Sequence, residues 1–133
     1  MAGNTNISET SERPLSPHLQ IYKWQITMAM SIMHRATGVA LTFGLFILVW
    51  WLLAMASGPE AYDLFRKCVS HPVGVFVAMG LSFCMFYHLC TGIRHLFLDS
   101  GKFFKIPEIY ASGYTALVCA IALTASFWLA IVF

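Results

Sequence analysis

Two short stretches of the chain place chemically capable side chains inside runs that are otherwise apolar. SIMHRATG, Ser31–Gly38, carries a serine, a histidine and an arginine within five positions, and FYHLCTGIRHLFLDSG, Phe86–Gly101, carries His88, Arg94 and His95. Neutral imidazole is a ligand for haem iron and a partner for other polar groups. A guanidinium receives anionic groups, and a hydroxyl donates to a carbonyl. Ser31 and Arg35 stand at i and i+4, with His34 three residues after the serine, so one side of a helix presents all three. His88 and His95, seven positions apart, fall within about 20° of each other on a helix surface and share a stripe. Gly92, one turn after His88 on the same side, leaves flat space for a macrocycle.

The elements that must position these groups follow from composition. The chain has 133 residues, 59% of them hydrophobic, with eight Lys plus Arg and six Asp plus Glu, a balance far from that of a soluble domain. Ala36–Ser57, Val73–Ile93 and Ile109–Phe133 lack acidic and basic side chains and are long enough to cross roughly 30 Å of hydrocarbon at about 1.5 Å per residue. The fold expected is all-α and integral to the membrane: one anchor domain over 1–133, with a tail and interfacial segment at 1–25 and transmembrane helices at 26–57, 72–98 and 109–133. Ser57–Pro72 reads as a loop bracketed by Gly58–Pro59 and Pro72, and Asp99–Glu108 as a second loop whose Pro107 suits the start of the last helix.

The first twenty residues have no apolar core for a secretory signal, and Glu9 and Glu12 argue against an acid-poor transit peptide, so the tail is expected to be retained. Tyr22, Lys23 and Trp24 suit the membrane interface. Arg13, Lys23, Lys102 and Lys105 on one side against Arg66 and Lys67 on the other place the N-terminus in the cytoplasm by the positive-inside rule. Cys68, Cys84, Cys90 and Cys119 have neither zinc spacing nor a covalent-haem pattern and read as packing residues. No catalytic centre contained wholly in this chain is expected, and no nucleic-acid partner.

A charge in a lipid-facing site costs about 3 kcal/mol on insertion scales, so Arg35 and Arg94 need a polar destination. Counting from Ile26, Arg35 lies roughly 13 Å along its helix, and His88 lies roughly 16 Å from the end of its own near Asp99. A short connection makes the first two membrane helices antiparallel neighbours, which lets Ser31, His34, Arg35, His88, Arg94 and His95 line one pocket. Haem propionates are anionic and match Arg35 and the shallower histidines. No second mid-membrane histidine is present, so a six-coordinate haem needs its other ligand from another chain. The plainer readings are that His34 and Arg35 snorkel toward the headgroups while Ser31 bonds its own backbone, and that the histidines serve only as interhelical partners. A transporter relay predicts broken helices or repeated halves, and neither is present.

RPLSPHLQIYKWQITMAMSIMHRAT, Arg13–Thr37, and HLCTGIRHLFLDSG, His88–Gly101, resemble two signatures of the cytochrome b556 membrane anchors of succinate dehydrogenase, respiratory complex II. Leu98 departs from the aromatic or Met that is usual there. The resemblance implies a subunit that binds haem b and ubiquinone and does not itself oxidise succinate. Its partners would be a second small membrane anchor, an iron–sulfur subunit and a flavoprotein subunit, with lipid around the helices. It makes His88 the axial ligand of the haem iron, with the other ligand on the companion anchor. It puts His34, Arg35 and His95 around the propionates, and Ser31 and Arg35 at the quinone. A guanidinium and a hydroxyl donor in a water-poor pocket lower the cost of negative charge on quinone oxygens. A bacterial inner membrane is expected ahead of a mitochondrial one. The competing possibility is a haem-free structural anchor of a related fumarate reductase.

Overall fold

The structure, a computed structural model, describes residues 23–102 and 105–133. These form four helices: α1 (Ile26–Ser57), α2 (Pro59–Ser70), α3 (Pro72–Asp99) and α4 (Ile106–Val132). The tail through Tyr22, with Arg13 of the first signature, and Phe103 and Phe104 of the second loop lie outside the described residues. α1, α3 and α4 are each long and apolar enough to cross a membrane.

The stretch expected as the first loop is instead the helix α2. Gly58, at φ +109°, breaks the chain after α1, and Pro59 then opens a new helix with Glu60 in its first turn and Lys67 in its last, matching the helix dipole at both ends. Ala61, Phe65 and Val69, at four-residue spacing, are half-buried. Phe65 meets Trp50 of α1 edge to face at 4.9 Å between ring centroids. The turn residues at its ends are therefore helix punctuation at a change of direction.

His71 caps α3, its Nδ1 accepting from the Val73 backbone N–H at 3.3 Å. At the other end Gly101, at φ +83°, lets the Gly101 and Lys102 amides fold back onto the carbonyls of Leu98 and Phe97 at 3.0 and 3.1 Å. This paired closure satisfies the last carbonyls of the helix where it reaches the surface.

α3 packs against both α1 and α4. The buried residues are mostly small or polar: Met30, Thr37 and Ala54 on α1, Tyr87, Thr91 and Arg94 on α3, and Gly113, Ala116 and Ala120 on α4. Helices that meet in lipid gain little from hiding apolar surface, so close backbone approach and interhelical hydrogen bonds hold them. Trp128 supplies one such bond, its Nε1–H donating to Ser82 Oγ at 2.8 Å. Large apolar side chains such as Phe43, Phe46 and Phe76 point outward.

Candidate functional site

The antiparallel crossing of α1 and α3 brings three histidines together. His34 and His88 stack with ring centroids 3.8 Å apart and planes 12° from parallel, and His95 meets His34 edge-on at 5.2 Å. All three are half-buried.

The hydrogen bonds define the state of His88. Its Nδ1 lies 3.1 Å from the His34 carbonyl oxygen and 3.2 Å from Thr37 Oγ1. A carbonyl can only accept, so the proton is on Nδ1. The Thr37 hydroxyl donates its own proton to the same carbonyl at 2.9 Å, which leaves an oxygen lone pair toward the ring. Nε2 is thereby the nitrogen with a free lone pair. A bond from Nδ1–H to a carbonyl is the arrangement that orients a metal-ligating imidazole and makes its other nitrogen more basic.

His34 is held in the mirror sense. Its Nδ1 lies 2.7 Å from Thr91 Oγ1, whose hydroxyl donates back to the Tyr87 carbonyl at 2.7 Å. Glycines make room for both rings. A Cβ at Gly38 would stand 3.1 Å from His88 Cε1, and one at Gly92 would stand 3.7 Å from His34 Cε1. Gly92 was expected to leave flat space beside His88, but the antiparallel register turns it to the other imidazole.

His88 borders a cavity of about 710 Å³, walled by Gly38, Leu41, Leu45, Leu81 and Met85, among other apolar residues. His88 is the one titratable side chain in that wall. Thr42, Ser82 and Trp128 also line it, with their polar groups bonded within the protein, and a mostly apolar hollow with an oriented imidazole suits a large flat ligand.

Arg94 does not join this group. It is 6% exposed and turns to α4, where Nε donates to Ser112 Oγ at 3.0 Å and Nη2 to the Ile109 carbonyl at 3.2 Å. It borders a second, smaller cavity of about 510 Å³ between α3 and α4, with Cys90, Phe97 and Glu108. The expectation of one pocket holding all six polar groups is corrected here. Position 94 lies roughly 120° around the helix from His88 at 3.6 residues per turn. Its polar destination is the Ser112 hydroxyl and a backbone carbonyl.

Ser31 is half-buried and Arg35 exposed, one turn apart on α1. Among the described residues neither side chain has a hydrogen-bond partner. Thr37 and Thr91, buried at 4% and 1% exposure, join the site although composition and charge do not single them out. The signal for them was present: each stands three residues after a histidine.

Fold and site together define a multi-pass helical membrane protein with a histidine cluster between two of its spans. The chain belongs to the succinate dehydrogenase/fumarate reductase transmembrane subunit family, whose sequence profile matches residues 9–127. It is similar to the succinate dehydrogenase cytochrome b556 subunit of Rickettsia felis, 44% identical over 118 residues that cover 89% of this chain and 92% of the relative. The Paracoccus denitrificans subunit of the same name is 36% identical over 111 residues, covering 84% of this chain and 85% of its own. The mitochondrial cytochrome b560 subunit of Homo sapiens is 42% identical over 120 residues, covering 89% and 70%. The resemblance read from Arg13–Thr37 and His88–Gly101 is borne out, and the chain is a membrane subunit of a complex II-type assembly.

Proposed function

We propose that the chain is the haem b-binding anchor of a succinate:ubiquinone oxidoreductase, with His88 an axial ligand of the haem iron through Nε2. The observation that carries this reading is the bare Nε2 of His88, oriented by the bond from Nδ1–H to the His34 carbonyl, on a ring that borders the 710 Å³ apolar cavity. That donor and those walls fit a haem. The relatives' names, cytochrome b556 and cytochrome b560, support the same group. Haem b, when bound, supplies a one-electron redox centre within the bilayer.

The residues of this chain then divide the work. His88 holds the iron, and Gly38 keeps its ring clear of α1. His34, stacked on the His88 ring at 3.8 Å and bonded to Thr91 through Nδ1, would flank the ligand, and a second ligand to the iron would come from the companion anchor. His34, His95 and Arg35 line the propionate side. Ser31 and Arg35 contribute to the ubiquinone site, Ser31 donating to a quinone carbonyl and Arg35 standing between quinone and haem. Their one-turn spacing on α1, with Ser31 half-buried and Arg35 exposed, supports that role.

The assembly has four subunits, in which a flavoprotein and an iron–sulfur subunit deliver electrons and two anchors receive them. The N-terminus lies in the cytoplasm and the membrane is a bacterial inner membrane, which puts Ser31, Arg35 and His95 near the iron–sulfur subunit and cytoplasmic protons.

The test is haem content per flavin, with the reduced-minus-oxidised spectrum, of the purified four-subunit complex beside its His88→Ala variant. Loss or a clear shift of the b-type bands in the variant is expected. A variant with wild-type haem content and an unchanged spectrum overturns the ligand assignment.

A further inference from the structure

His34–Gly38 and His88–Gly92 both read H-x-x-T-G, and the antiparallel pairing of α1 and α3 sets the two copies against each other. Thr37 of the first copy lies 3.2 Å from the Nδ1 of His88, and Thr91 of the second lies 2.7 Å from the Nδ1 of His34. Gly38 faces the His88 ring and Gly92 faces the His34 ring. With the rings stacked between them, the result is a local twofold arrangement. Each helix supplies an imidazole, the hydroxyl that holds the other helix's imidazole, and the gap that imidazole fills.

Three observations break the symmetry, and all favour one ring. His88 alone has a second acceptor at Nδ1, the His34 carbonyl at 3.1 Å. His88 alone of the two borders the 710 Å³ cavity. Its glycine is also the tighter one, at 3.1 Å against 3.7 Å. Both threonines send their own proton to a backbone carbonyl, Thr37 to His34 and Thr91 to Tyr87, so their remaining capacity toward imidazole is as acceptors. For Thr37 the hydroxyl and the carbonyl that it bonds are the two acceptors that His88 uses.

We infer that Thr37 is a positioning residue for the haem ligand: with the His34 carbonyl it fixes His88 in the Nδ1–H tautomer and holds its Nε2 toward the haem cavity. The inference rests on the reading of His88 as axial ligand. Thr37 acts through His88 and touches neither iron nor quinone. A hydrogen-bonded Nδ1–H makes the opposite nitrogen a stronger donor, which stabilises the oxidised iron relative to the reduced. Removing one acceptor weakens that effect.

The test uses the assembled four-subunit complex with Thr37→Val, which keeps the branched shape and loses the hydroxyl, and Thr37→Ser, which keeps the hydroxyl. The readouts are the haem midpoint potential and the low-spin electron paramagnetic resonance g-values. Thr37→Val is expected to raise the potential and shift the g-values, and Thr37→Ser to stay at wild type. Assembly of the Ser variant alone also supports a role for the hydroxyl over side-chain volume. A Val variant with wild-type potential and g-values, or Val and Ser variants that change or fail alike, overturns the inference. His88→Ala read in parallel separates the two levels. If it loses the wild-type signature while Thr37→Val does not, the positioning role falls and the ligand reading stands; if it keeps that signature, the ligand reading itself falls.

Discussion

Gly38→Ala and Gly92→Ala are chemically the same change at related places in the two H-x-x-T-G segments, and the geometry separates their outcomes. A Cβ at 38 would stand 3.1 Å from His88 Cε1 and 3.7 Å from Nδ1. Carbon atoms pack at about 3.5–4.0 Å, so the ring has to withdraw by roughly 0.4 Å. Its Nδ1–H bonds at 3.1 and 3.2 Å run back to α1, and withdrawal stretches both, while the His34 ring stacked at 3.8 Å limits a sideways escape. Overpacking of this kind costs about 1–3 kcal/mol. At Gly92 the new Cβ meets His34 Cε1 at 3.7 Å, an ordinary contact with no such cost. Both variants gain the same helix propensity, about 1 kcal/mol over glycine, so it cancels in the comparison. Gly38→Ala should therefore hold haem more weakly than Gly92→Ala by roughly 5- to 150-fold, the equivalent of that cost. The assay is the haem-to-flavin ratio of each purified complex, followed by the rate of haem loss to an excess of a haem scavenger. Equal retention in the two variants, or weaker retention in Gly92→Ala, refutes the packing of His88 against α1.

Ser112→Ala removes the acceptor on Arg94 Nε, a bond to a charged group worth about 1.5–3 kcal/mol. It should lower the melting temperature of the detergent-solubilised complex while leaving the haem spectrum of the assembled fraction unchanged; an altered haem spectrum at normal stability would contradict the placing of Arg94 as a tie between α3 and α4. Ser31→Ala should slow electron transfer from succinate to ubiquinone and spare transfer to an artificial acceptor that takes electrons before the membrane. Equal loss with both acceptors would mean failed assembly and would remove the quinone contact.

The long apolar segments were legible because nothing but three membrane helices accounts for runs of that length free of charge. α2 is less so, because Gly58, Pro59 and Pro72 read as loop punctuation while the spacing of Ala61, Phe65 and Val69 carries the helical signal. The meeting of His34, His88 and His95 followed from a seven-residue interval on one helix and from the antiparallel neighbour that a short connection enforces. The same antiparallel pairing puts Arg94 at the depth of that group, but depth does not fix direction, and its angle around the helix points elsewhere. Gly92 shows what periodicity on a single helix does not contain: which ring a glycine accommodates depends on the register between helices. Thr37 and Thr91 are hidden for a related reason, since a threonine in a helix is most simply read as bonding its own backbone. Both do so, and the same hydroxyls reach across to the other helix.

A density map of the assembled complex, at a resolution that orients imidazole rings, tests most directly whether His88 presents Nε2 to the haem iron. His88 Nε2 is expected on the iron, with Nδ1 turned back to the His34 carbonyl and Thr37 and the opposite ligand on the companion anchor. Iron ligated by another residue of this chain, or a His88 ring with Nδ1 toward the iron, would contradict it.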